Sequence, residues 1–132
     1  MQPEEIWLVT FFVPWDEHIL TFAPKLEMSY ADLTKKGYKV RFGSVDVSVE
    51  KSLGLKYGID RSPVVKLFAY ADGKWTVTEY TGVREPMPVC MFCIDHYRTK
   101  NMPYVQLPED HIDGEVIELT DDNFDEVVMG SN

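Results

Sequence analysis

Ile6-Trp7-Leu8-Val9-Thr10-Phe11-Phe12-Val13 is an almost unbroken apolar run that stops at Pro14. A strand with one wet face alternates apolar and polar residues. This one does not, so it reads as a strand covered on both faces, in the middle of a sheet with helices on either side. Asp16 to Lys36 follows with helical spacing: Ile19, Leu20, Phe22, Ala23, Leu26, Tyr30 and Leu33 recur on one side. Asp16 is suited to the N-cap, where the positive end of the helix dipole favours an anion. Pro24 falls inside the helix and predicts a kink, and Gly37 ends it.

Lys39–Asp46 reads as a second strand. Ser48 is expected to cap a helix through Tyr57, with Leu53 inward and Gly58 at its C-terminal end. Ser62-Pro63 then interrupts the chain before Val64-Val65-Lys66-Leu67-Phe68. Asp72-Gly73 between two β-rich runs predicts a hairpin, with Lys74–Tyr80 as its second strand. Pro86 and Pro88 suit a helix start. Val89, Phe92, Cys93 and His96 or Tyr97 would form the inner stripe of that helix. The fold class is therefore α/β, ordered β-α-β-α-β-β-α, with a central sheet flanked by helices.

Charge divides the chain differently. The 132 residues carry 13 Lys+Arg and 22 Asp+Glu, a formal net charge of −9. All the basic residues precede residue 109, balanced by an equal number of acids. Beyond Pro108 lie Glu109, Asp110, Asp113, Glu115, Glu118, Asp121, Asp122, Asp125 and Glu126, with no Lys or Arg. A neutral body with an acidic tail is a poor match for phosphate backbones, so no nucleic-acid partner is expected. No apolar run approaches the ~18–20 residues that span a membrane. The N-terminus has no basic n-region or cleavable apolar stretch, so no signal peptide is read there. Two Cys exclude a disulfide framework of the small secreted kind.

Taken together, the pattern resembles the thioredoxin fold, a central mixed sheet flanked by helices, and in particular the a-type domains of protein disulfide isomerases. Such domains carry a strand ending A-P-W-C-G-H-C, a helix with an internal proline, a strand ending V-D, then Y-G-V, a cis-proline, and a G-G-R-T turn before the last helix. Here Val13-Pro14-Trp15-Asp16-Glu17-His18-Ile19 stands at the first motif and Pro24 at the internal proline. Val45-Asp46, Tyr57-Gly58-Ile59, Pro63 and Gly82-Val83-Arg84 stand at the others. The resemblance covers about residues 6–98.

The departure lies at the chemistry. Asp16 and Ile19 occupy the places of the family's two cysteines. Thiol–disulfide exchange needs a thiolate and a second sulfur. Active isomerase domains also place a buried Glu in the first strand, and Thr10 stands there instead. The resemblance thus implies a degenerate site with no catalytic residue and no cofactor. Trp15, Asp16, His18, Ser62 and Pro63 remain as candidates for peptide binding, since the family's cis-proline segment touches substrates. Asp16 admits two readings, a simple N-cap or a fixed anion that mimics the thiolate and attracts a basic client. His18 reads as a surface residue of the first helical turn. Asp16, Glu17 and His18 lack metal-ligand spacing on one helical face, so no metal is expected.

Cys90-Met91-Phe92-Cys93 has redox C-x-x-C spacing, yet the resemblance places it in the last helix, away from the usual site. Packing, a reactive pair, and zinc binding with His96 are its three readings. The expected function is a non-catalytic thioredoxin-like domain of a multidomain disulfide-isomerase-like protein. It would bind unfolded or disulfide-containing clients, or partner proteins. The alternative is a thiol–disulfide oxidoreductase using Cys90 and Cys93. The family implies the endoplasmic reticulum lumen.

Residues 1–98 are read as this domain, lacking the N-terminal edge strand and helix of the family. Residues 99–114, with Pro103, Pro108 and Gly114, read as a linker. Residues 115–132 hold a strand, Glu115–Leu119, and a short helix, Asp121–Met129, capped by Thr120. Val116-Ile117-Glu118-Leu119-Thr120-Asp121-Asp122-Asn123-Phe124 resembles the V-x-x-L-T-x-x-N-F opening of a following thioredoxin-like domain. It is expected to complete the sheet in cis, or by swapping into a dimer.

Overall fold

The computed structural model describes residues 6–71, 74–99, 117–124 and 128. The elements run β1 (Ile6–Phe12), α1 (Glu17–Lys35), β2 (Val40–Asp46), α2 (Lys51–Lys56), β3 (Val64–Ala71), β4 (Lys74–Tyr80), α3 (Pro86–Thr99) and β5 (Ile117–Glu118). They form one mixed sheet in the order β4-β3-β1-β2-β5. β1 and β2 are parallel, with Leu8 opposite Phe42, while β3 runs antiparallel to β1 and to β4. β1 is central, and its burial explains its composition. Successive side chains point to opposite faces of a strand, and both faces here are covered.

The two faces make two cores. Ile6 and Leu8 meet Phe22, Leu26 and Leu33 of α1, and Val89 and Cys93 of α3. Trp7, Val9 and Phe11 meet Leu53 of α2, Phe68 of β3, and Leu119, Phe124 and Val128 of the C-terminal segment. α1 runs unbroken through Pro24 and ends after Lys35. Gly37, at φ 91°, lets its own N–H reach Thr34 O at 3.0 Å and brings the Tyr38 N–H to Leu33 O at 3.1 Å. Those bonds satisfy carbonyls that the last turn would leave open.

The expected cap of α2 is corrected. Ser48 lies before the helix, and its N–H and hydroxyl both donate to Asp46 Oδ1, at 2.9 and 2.5 Å. Ser48 is turned back to the Asp46 carboxylate two residues before it, a local side-chain bond, and its oxygen is not used to accept a helix N–H. The helix begins at Lys51, and Glu50 before it makes no capping bond of its own. Asp121 does that work from 68 residues away: its Oδ1 accepts the Leu53 N–H at 3.1 Å. The Asp121 N–H donates in return to Glu50 Oε1 at 2.8 Å.

β5 lies parallel to β2, pairing Ile117 with Gly43 and Glu118 with Ser44. It is shorter than the strand expected over 115–119, whose first two residues lie outside the described residues. Thr120 and Asn123 satisfy each other: Thr120 N–H donates to Asn123 Oδ1 at 2.8 Å, and Asn123 N–H to Thr120 Oγ1 at 3.2 Å. Residues 121–123 form a turn that carries Phe124 into the second core. Nearly all of the 99–114 linker, the Asp72-Gly73 turn, and Asp125–Val127 of the expected helix lie outside the described residues. Among the described residues no helix is long and apolar enough to cross a membrane.

Candidate functional site

The candidate site sits where the C-terminal end of β1 delivers the chain to α1. Asp16 has extended backbone angles, φ −78° and ψ 118°, and caps α1 by accepting the His18 N–H at 3.0 Å. Its other oxygen, Oδ2, accepts a hydrogen bond from Ser62 Oγ at 2.8 Å. Ser62 Oγ in turn accepts the Val13 N–H at 3.1 Å. One hydroxyl therefore ties the end of β1, the cap of α1 and the segment before β3 together. The Ser62–Pro63 peptide bond is cis.

These bonds set the electrostatics. The Ser62 hydroxyl and then the His18 backbone N–H hold the Asp16 carboxyl below the ordinary carboxylate range, because each stabilises the ionised form. His18 Nδ1 lies 3.0 Å from Asp16 Oδ1, with the ring 74% exposed and the carboxylate 12% exposed. Both oxygens of Asp16 are thus engaged within the chain. That supports the capping role and leaves little of the anion for a client to contact.

The other residues expected here separate by exposure. Trp15 stands 72% exposed, whereas Ile19, one helical turn on, is buried. Pro63 is buried, and its carbonyl accepts from Arg84 Nη2 at 3.4 Å. The Arg84 guanidinium also sits 5.8 Å above the Phe22 ring. The Ser62 hydroxyl and Arg84 thus both anchor the proline segment. The Ser62 hydroxyl at Asp16 was legible only as a Ser before a Pro, and Arg84 only through the motif that precedes the last helix.

The two thiols lie elsewhere. Cys90 and Cys93 are free and buried on the inner side of α3. Cys90 Sγ is 3.6 Å from Ser29 O and 3.7 Å from Asp32 Oδ2. Ser29 lies about 20 Å along α1 from Asp16, at ~1.5 Å per residue. Burial pushes the Cys90 thiol up and drives Cys93, fully enclosed, far above the ordinary thiol range. The inner stripe of α3 is Val89, Cys90, Cys93 and Ile94, with Phe92 packed beside it, so Cys90 is more enclosed than its spacing implied. Among the described residues no group of three or more His, Cys, Asp or Glu is placed to hold a metal ion.

The thioredoxin family model matches residues 1–92. A probable protein disulfide-isomerase A4 of Caenorhabditis elegans is 34% identical over 101 residues, covering 75% of this chain and 16% of that protein. Human protein disulfide-isomerase A6 is 28% identical over 150 residues, covering 99% of this chain and 31% of that protein. The chain therefore spans less than a third of the length of these relatives. Among solved structures, the Trx4 domain of ERdj5 superposes with a TM-score of 0.65 at 26% identity, covering 73% of this chain and 82% of that one. The sheet order, the cis-proline facing the start of α1 and these matches agree: the chain belongs to the thioredoxin family, with protein disulfide isomerases among its relatives.

Proposed function

We propose that this chain is a non-catalytic, polypeptide-binding domain of a larger disulfide-isomerase-like protein of the endoplasmic reticulum lumen. The carrying observation is the pairing of Asp16 with Ser62. A carboxylate sits at the helix N-terminus facing the cis-proline segment, locked by hydrogen bonds, with a buried Ile19 one turn later. Neither side chain can attack a sulfur. Trp15, His18 and the Ser62–Pro63 backbone supply the contact surface, and the segment whose pattern resembles the opening of a following thioredoxin-like unit also serves this one through Ile117–Glu118, Leu119, Asp121 and Phe124.

The test is an insulin-reduction assay on the full chain, beside binding of a fluorescein-labelled, reduced, unfolded client followed by anisotropy. Turnover should match the dithiothreitol background, and client binding should weaken in Trp15→Ala. The alternative reading, an oxidoreductase, draws on the C-x-x-C spacing of Cys90 and Cys93, although their burial and raised thiol pKa values weigh against it. Insulin reduction that disappears in Cys90→Ser would establish that alternative and overturn the proposal.

A further inference from the structure

A pocket of about 480 Å³ opens between the first turns of α1 and the C-terminal ends of β1 and β2. Thr10, 2% exposed, and Ser44 line its strand side. Ile19 and Pro24 form the helix side, and Leu20, 72% exposed, stands at the rim. Pro14 belongs to the same wall, and Trp15, the next residue along the chain, is exposed. Among the described residues Glu27 is the one charged residue of the lining.

The chemistry of this space restricts what can fill it. Its walls are mainly apolar, so an ion or a sugar would lose more hydration than the lining returns. Leu20 at the rim and Trp15, next along the chain to the lining residue Pro14, are large apolar side chains left in water. A small molecule inside would leave them there, whereas an extended chain crossing the rim would cover them. The charged side chain of the lining, Glu27, is negative, which favours a basic residue beside the inserted one.

We propose that this pocket is a specificity site that accepts one bulky apolar side chain, Phe or Leu, of an extended client segment, with a Lys or Arg next to it facing Glu27. The inference rests on the polypeptide-binding reading above and adds which segments bind. Selection comes from the pocket, while Trp15 contributes affinity to any sequence that crosses it.

The experiment uses the full chain and three fluorescein-labelled Gly/Ser peptides with central Phe-Arg, Ala-Arg or Phe-Glu, followed by anisotropy. Phe-Arg should bind at least about tenfold tighter than Ala-Arg, the scale of one large apolar group leaving water. It should bind about two- to fivefold tighter than Phe-Glu, and Glu27→Gln should remove that smaller gap. Ala23→Leu, which extends a lining residue into the space, should abolish the Phe preference and leave Ala-Arg binding intact. A benzophenone side chain in place of Phe should cross-link to Leu20 or Ala23 in the unmodified chain, which tests the site without any variant that could misfold. Equal affinity for Phe-Arg and Ala-Arg with retained dependence on Trp15 would overturn the pocket while sparing the binding function. Absence of binding by all three peptides and by unfolded client would overturn both.

Discussion

Phe124→Ala tests whether the C-terminal segment belongs to the folded unit. Phe124 is fully buried in the core on the α2 side of the sheet. Its ring meets Phe68 edge-on at 5.4 Å between centroids and Tyr57 at 5.5 Å. Burial of an aromatic side chain contributes about 1.5–3 kcal/mol from area alone. Two aromatic contacts add about 0.5–1.5 kcal/mol each. The sum agrees with the ~3–5 kcal/mol that large-to-small aromatic truncations cost in closed cores. The segment's own contacts cap the loss, because it can undock once its attachment is weaker than the defect. With a urea slope of ~1–3 kcal/mol/M, the unfolding midpoint should fall by about 2 M. Emission of Trp7, buried in the same core, reports the transition. Phe124→Leu, which keeps most of the volume but forfeits both ring contacts, should lose about 1–3 kcal/mol, less than the alanine variant. A midpoint shift below ~0.3 M in Phe124→Ala, at unchanged slope, would refute the reasoning and leave the segment a loose appendage.

Three further outcomes are expected. Iodoacetamide mapped by mass spectrometry should leave both cysteines largely unmodified in the native chain and label them fully in denaturant, with Cys90 reacting before the enclosed Cys93. Native labelling of both at the rate of a free thiol would contradict their burial. The Asp16 carboxyl has a lower pKa folded than unfolded, so its contribution to stability is present above about pH 4 and is lost as pH falls through the folded value. The stability gap between wild type and Asp16→Asn should therefore be flat at neutral pH and narrow in acid; a gap that widens in acid reverses the sign of the argument. Ser62→Ala should raise the Asp16 pKa, read by carboxyl NMR titration, because it deletes the largest stabiliser of the ionised form.

Much of this architecture could be read along the chain because local chemistry dictates it. The apolar run of β1 has no wet face, so it had to be central, and it is. Asp16 was suited to an N-cap by its short acceptor side chain, and it caps α1. The α2 cap differs because Ser48 sits in a turn bonded back to Asp46, while the acceptor that serves the helix, Asp121 Oδ1, comes from far along the sequence. No local pattern encodes such a bond. The hairpin register, with Val65 opposite Tyr80, follows from a short connection; the parallel register of β2 with β5 does not.

The candidate site divides in the same way. That Asp16 and Ile19 stand at the head of a helix, and that Ser62 precedes a proline, are facts of order and residue type. They already deny the usual position a sulfur. Only the tertiary structure decided that Ser62 bonds to Asp16 and Val13, that Arg84 meets the Pro63 carbonyl, and that Cys90 and Cys93 face inward, with Cys90 beside Ser29 of α1. The physical reason is range. Caps, turns and periodicity are settled by a few neighbouring residues, whereas a hydrogen bond between β1, α1 and the proline segment exists only after the sheet has brought distant strands side by side.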